Sequence, residues 1–269
     1  MVSTPFLIFD LDGTLVDSLE DLRISANLFL GEHGLPELDT DTLRPCIGRG
    51  VHYLVRCMTD RAGAIAEGLE TRPRDHGGLD AGRGRSAVDG RDTGGRKGEP
   101  GVSAGQTLGI GGKEMTLDDA VARYREIYTA HAMDTTVPYP GVRETLEALR
   151  SFPMAVISNK PESASRDILE QLDLARFFHR IAGGDSFAEM KPSGLPIRRM
   201  IEQVGASMEN TWMIGDSVYD LEAGKNAGVR TIAVTYGFQT PEMLKALKPD
   251  HTVSAFNQLR EIFLPQPEA

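Results

Sequence analysis

The run FLIFDLDGTLVDS, residues 6–18, constrains the fold more than any other part of the chain. Four consecutive apolar residues, Phe6, Leu7, Ile8 and Phe9, read as a short strand covered on both faces, and the strand ends abruptly at an acid. A strand covered on both faces belongs to a parallel sheet flanked by helices, and such sheets bind ligands outside the carboxyl ends of their strands. Asp10 and Asp12 are therefore expected at a ligand site. Two positions apart they can point the same way, and carboxylates held that close repel unless a cation, a shared proton or a reaction needs both. A divalent metal is the simplest answer. Gly13 allows a tight turn just past them, and Thr14 adds a hydroxyl to the same loop.

Beyond this strand the chain is at first helical. Asp17 or Ser18 can cap a helix whose apolar residues run from Leu19 to Leu30, Gly34 to Pro36 stop it, and a short helical piece spans Thr40 to Pro45. The loop CIGRG and a helix from Val51 to about Thr59 come next. Order resumes at Thr116, where TLDD resembles a capping box opening a helix to about Met133. Beyond residue 136 the pattern alternates. Strands are expected at Met154–Ile157, His179–Ala182, Thr211–Ile214, Thr231–Val234 and around Thr252. Helices are expected at Val142–Arg150, Glu162–Gln171, Leu195–Val204, Leu221–Ala227 and Ala255–Phe263. Alternation of this kind gives an α/β fold, a doubly wound, Rossmann-like parallel sheet with right-handed crossovers. Residues 1–17 and 136–269 would build it, with residues 18–135 inserted after the first strand as a separate helical unit.

One stretch breaks the pattern. Between residues 61 and 112, 15 of 52 positions are glycine, and Leu79, Val88 and Val102 are the only large aliphatics between Thr71 and Gln106. Such a segment buries too little apolar surface to offset the entropy of ordering it, so disorder is expected. Its Gly, Arg and Asp bias is also what a GC-rich coding region gives in a shifted frame.

A net charge of −10 argues against nucleic acid or an anionic membrane as partner. The N-terminus has no basic region and its apolar run is too short to span a bilayer, which points to a cytoplasmic protein, monomeric or homodimeric. Cys46 and Cys57, eleven positions apart, match neither a zinc spacing nor a disulfide framework and are expected reduced and partly buried.

Three further strand ends carry suitable polar groups. Ser158 and Asn159 follow the strand in AVISNK, where they could bond phosphate oxygens or simply make a turn. Lys191, before Pro192, is either a surface charge or the fixed cation that a site of carboxylates and phosphate needs. Asp216 follows TWMIG and would complete a metal site with Asp10. Gly215 gives close backbone approach, and Asp220 either supports the site or decorates the first turn of a helix.

In this order DLDGT, SNK, the Lys191–Pro192 pair and GDSVYD resemble the four motifs of the haloacid dehalogenase-like hydrolases, and the early helices resemble their cap. VPYPGV, ISNKP, GGDSFAEMKP and VTYGF resemble more narrowly the bacterial phosphoglycolate phosphatases. The resemblance covers about residues 5–58 and 116–262. It implies a Mg²⁺-dependent phosphatase that hydrolyses 2-phosphoglycolate to glycolate and phosphate, or another small phosphomonoester or pyrophosphate, through an aspartyl-phosphate. Asp10 would be the nucleophile and Asp12 the acid and base. The metal would be held by Asp10, the Asp12 carbonyl and Asp216, and Ser158 and Lys191 would hold the phosphoryl charge. Arg49, between two glycines in the cap loop, is either a solvated side chain or the partner of the substrate carboxylate.

Two other readings compete. Dehalogenase or phosphonate chemistry would not need Asp12 as proton donor to an alkoxide. A binding module using the Gly/Arg segment is disfavoured by seven basic against five acidic residues between Thr71 and Glu99, with no aromatic to stack a base.

Overall fold

The computed structural model describes residues 4–69 and 106–264. In chain order the elements are β1 (Phe6–Phe9), β2 (Val16–Asp17), α1 (Leu19–Glu32), α2 (Thr40–Leu43), α3 (Val51–Ala66), β3 (Thr107–Ile110) and β4 (Lys113–Thr116). After these come α4 (Leu117–His131), β5 (Val137–Pro138), α5 (Val142–Ala148), β6 (Met154–Ile157), α6 (Glu162–Gln171), β7 (Arg180–Ala182) and α7 (Leu195–Val204). The chain closes with β8 (Thr211–Gly215), α8 (Val218–Ala227), β9 (Arg230–Val234), α9 (Pro241–Ala246), β10 (His251–Val253) and α10 (Leu259–Phe263).

Six strands form one parallel sheet in the order β10-β9-β8-β1-β6-β7. The first strand of the chain is thus central, paired with β8 on one side and β6 on the other. Its alternate side chains feed two separate cores. Leu7 and Phe9 pack with Val156, Ile214 and Phe256, whereas Phe6 and Ile8 pack with Ile157, Met213 and Ile197. All four are fully buried, which is the two-faced burial that a continuous apolar run requires. The order reverses around β1, so Asp10, Ser158 and Asp216, each just past a neighbouring strand, converge on one edge of the sheet.

A third core lies outside the sheet, among α1, α3, α4 and the β3–β4 hairpin, with Phe29, Leu54, Met58, Leu108, Ile110 and Tyr124 buried in it. This inserted unit, the cap hereafter, leaves and rejoins the sheet side by side. β2 pairs antiparallel with β5, and the buried Asp21 carboxylate accepts hydrogen bonds from the amides and hydroxyls of Thr135 and Thr136 at 2.6–3.2 Å.

The structure departs from the sequence-based expectations in three places. The expected disorder over 61–112 fails at both ends: α3 continues to Ala66, and residues 107–116 form a hairpin. Ala62 supplies buried apolar surface at one end, and alternating Leu108 and Ile110 supply it at the other. Residues 70–105, the heart of that expectation, lie outside the described residues. Cys46 and Cys57 are not reduced but joined by a disulfide with Cα atoms 5.5 Å apart. The turn Arg44–Cys46 folds back on α3, a reversal that linear spacing does not reveal. Ser18 stands at the N-cap position of α1 without capping it, because its hydroxyl donates to Asp12 instead. Among the described residues no helix is long and apolar enough to cross a membrane.

Candidate active site

The loop after β1 is shaped by what it has to clear. Gly13 has φ +83°, and a Cβ there would come 2.2 Å from an Asp216 oxygen. Gly237, within the string VTYGF but not singled out as a site residue, is under the same steric limit: a Cβ would meet the Asp216 side chain at 2.3 Å. Asp216 is therefore walled in by two backbones. Its carboxylate accepts from the Thr14 hydroxyl at 3.0 Å and from the Phe238 amide at 2.7 Å, so Thr14 serves Asp216 rather than a phosphate.

Lys191 is the hub. Its side chain is 2% exposed, and its ammonium donates to Asp10, to Asp220 and to the Ile157 carbonyl, each at 2.7 Å. Asp220 is no surface decoration. It caps α8 through Ser217, and with Gly215 beneath it, where a Cβ would fall 2.3 Å from its Cγ, it is fully buried beside Lys191. Burial works to pull the Lys191 ammonium down, yet Asp10 and Asp220 hold it above the ordinary lysine range.

Carboxylate oxygens of Asp10, Asp216 and Asp220 all lie within 4.8 Å of one another, and all three residues are buried. One ammonium against three ionised carboxylates would leave two negative charges uncompensated. The protonation preferences record that strain: burial, then Asp220, raise Asp10 from 3.8 to about 7, and burial, then Asp10, push Asp216 well above the usual carboxylate range. A buried all-oxygen donor set with excess negative charge fits a hard divalent cation such as Mg²⁺.

Asp12 stands apart from this cluster. Its carboxylate accepts from Ser18 at 2.5 Å and from the Lys160 ammonium at 2.8 Å. Lys160 also donates to the Tyr128 hydroxyl of α4 at 2.5 Å, so the Lys160 side chain, 8% exposed, ties the sheet domain to the cap. Lys160 and Tyr128 are not among the residues that the sequence singles out. The signal for Lys160 is present in the string SNK, whose third residue follows Ser158 and Asn159 just past an apolar strand.

These groups open onto a cavity of about 250 Å³ between sheet edge and cap. Asp10, Asp12, Ser158, Asn159, Lys191 and Asp216 line it. Ser158 is buried and, among the described residues, its hydroxyl accepts from the Lys160 amide and donates to no partner, which leaves the proton for a ligand. Asn159 is not so placed. Its amide nitrogen donates to the Gly48 and Lys191 carbonyls at 2.9 and 2.8 Å and its oxygen accepts from the Lys191 amide, so it docks the cap loop onto the lysine instead of meeting phosphate. Arg49 does not line the cavity. Its guanidinium lies 4.1 Å above the Tyr53 ring and 5.9 Å from the Tyr219 ring, and Gly48 beside it sits so close to Tyr219 that a Cβ there would fall 3.3 Å from that ring.

Residues 100–234 match the family described as haloacid dehalogenase-like hydrolase. A phosphoglycolate phosphatase of Chromobacterium violaceum is 34% identical over 257 residues, which cover 94% of this chain and 94% of that one. One from Aquifex aeolicus is 31% identical over 250 residues, 92% of this chain and 91% of that one. A solved structure described as "a predicted phosphoglycolate phosphatase" from Haemophilus somnus has a TM-score of 0.74 at 26% identity and covers 97% of this chain and 99% of that one. Strand order, buried carboxylates and relatives agree: the chain belongs to the haloacid dehalogenase-like hydrolases.

Proposed function

We propose that the protein hydrolyses 2-phosphoglycolate to glycolate and phosphate, with Asp10 as nucleophile. The observation that supports this chemistry best is the pairing of Asp10 with the buried Lys191 at the floor of a cavity that also holds a second acid, Asp12. The substrate rests on the relatives named phosphoglycolate phosphatase. In this reading residues 18–135 act as the cap over a core of residues 1–17 and 136–269.

Asp10 attacks phosphorus through one carboxylate oxygen, and the bond from phosphorus to the glycolate oxygen breaks. Asp12 gives a proton to the departing alkoxide and afterwards takes one from the water that cleaves the aspartyl-phosphate. Asp12 starts the cycle protonated and is returned to that form by the water's proton, while Lys160 orients it for both transfers. Lys191 and the Ser158 hydroxyl stabilise the charge that spreads over the phosphoryl oxygens, and Asp220 keeps Lys191 in place. Asp10, Asp216 and the Asp12 carbonyl would hold Mg²⁺, which when bound neutralises the excess negative charge of the site and of the substrate.

Turnover of 2-phosphoglycolate, other small phosphomonoesters and pyrophosphate, each with and without Mg²⁺, tests the reading. The expected result is Mg²⁺-dependent hydrolysis with the highest kcat/KM on 2-phosphoglycolate. A higher value on another ester would replace the substrate but keep the chemistry, and no turnover of any would remove both.

A further inference from the structure

A substrate carrying both phosphate and carboxylate needs a second cation in the cavity, because its carboxylate would otherwise face Asp10, Asp12 and Asp216. Four cationic side chains line the cavity: Arg44, Arg125, Lys160 and Lys191. Lys191 is engaged by Asp10 and Asp220, and Lys160 by Asp12 and Tyr128. Arg44 donates to the Phe238 carbonyl at 3.4 Å, anchoring the cap to the loop that holds Asp216. The Arg125 guanidinium, among the described residues, makes no hydrogen bond or ion pair.

Arg125 is also set on the right surface. Tyr124, Arg125, Tyr128 and Thr129 occupy neighbouring positions on α4, and all four line the cavity. Tyr128, one turn beyond Arg125, touches Lys160, which touches Asp12. This stripe is rigid where it must be: Tyr124 and Tyr128 are buried and stacked with ring centroids 6.1 Å apart. Arg123, two positions back, is spent on Glu32 and Glu126 on the outer side. A helix that pairs its outward arginine and leaves the cavity-facing one open presents a planar double donor suited to a carboxylate.

We infer that Arg125 is the specificity-determining residue of the cap, pairing with the carboxylate of the substrate while the sheet domain holds its phosphate. This rests on the 2-phosphoglycolate reading above.

The test compares kcat/KM for 2-phosphoglycolate with that for ethyl phosphate, which is of similar size but lacks the carboxylate, in wild type, Arg125→Gln, Arg125→Lys and Arg44→Gln. The wild type should favour 2-phosphoglycolate strongly. Arg125→Gln should cut that preference about tenfold or more, chiefly through KM, with ethyl phosphate changed less than twofold and Arg125→Lys intermediate. A wild-type ratio near one would overturn the substrate reading and this inference with it. A strong wild-type preference that survives Arg125→Gln, that collapses only in Arg44→Gln, or that falls because both substrates lose equally would overturn Arg125 alone. Arg125 is exposed at the cavity mouth, so unchanged melting of the variants separates recognition from folding.

Discussion

The Lys160 ammonium lies 2.8 Å from the Asp12 carboxylate and shares no partner with Lys191, which holds Asp10. Two acids two residues apart therefore have separate cations, and their environments separate their duties. Asp12→Asn should slow alkyl phosphates by about a hundredfold or more and activated aryl phosphates far less, because only a poor leaving group needs a proton. Lys160→Met should shift the same ratio in the same direction by a smaller factor. Equal losses on both substrate types would assign the proton to another group.

Asp10→Asn should abolish turnover and leave the fold at least as stable. The carboxylate is buried, repelled by Asp220 and raised to about 7, so a neutral amide relieves more than it removes. Steady-state rates and thermal melting in metal-free buffer check both halves, and a tenth of wild-type turnover remaining would exclude the covalent route.

Stability should depend on pH in a direction opposite to that of an ordinary salt-bridged carboxylate. Asp10 titrates near 3.8 when unfolded and about 7 when folded, so between those values the folded state binds more protons. Metal-free protein should lose stability as pH rises from about 4 to about 7 and level off above. Asp216, raised by burial and by Asp10, acts in the same sense. Mg²⁺ competes with these protons, so the melting-temperature gain on adding it should be small at pH 5 and larger at pH 8. A gain independent of pH would place the metal elsewhere.

The disulfide closes a loop of eleven-residue separation that contains Ile47, Gly48 and Gly50 of the cavity wall. Cys57→Ser, or reduction, should cost the cap about 2–3 kcal/mol. The Gly48 carbonyl that Asn159 holds would then be less fixed, so KM should rise more than kcat falls. Thiol titration of the denatured, unreduced protein should find no free cysteine, and two free thiols would refute the bond.

Much of this architecture is readable from residue types. Phe6–Phe9 announce a central strand because continuous burial leaves no polar face to write in, and α6 and α7 fall where their apolar spacing puts them. Asp10 and Asp216 are legible because each ends an apolar strand, and a sheet edge gathers such residues without further information, whereas Lys191 sits nine residues past the end of β7 and is legible from the Lys191–Pro192 pair ahead of a helix. What stays hidden comes from partners distant in sequence. Thr14 and Asn159 carry the chemistry of phosphate ligands, but Asp216 and the Gly48 and Lys191 carbonyls claim them first. Arg49 looks exposed to substrate until Tyr53 and Tyr219 are seen beneath it. Arg125 is one of many helix arginines until its neighbours' pairings leave it as the open one.

Asp21 makes one more thing intelligible. By gripping Thr135 and Thr136 it fastens the outgoing and returning chain together at the point where both leave the sheet. Whatever is spliced between those two threads, long or short, glycine-rich or not, pulls on a closed knot rather than on β1 or β6. A change of length between Leu69 and Gln106 therefore loads this clasp before it reaches the strand ends that carry Asp10 and Asp216.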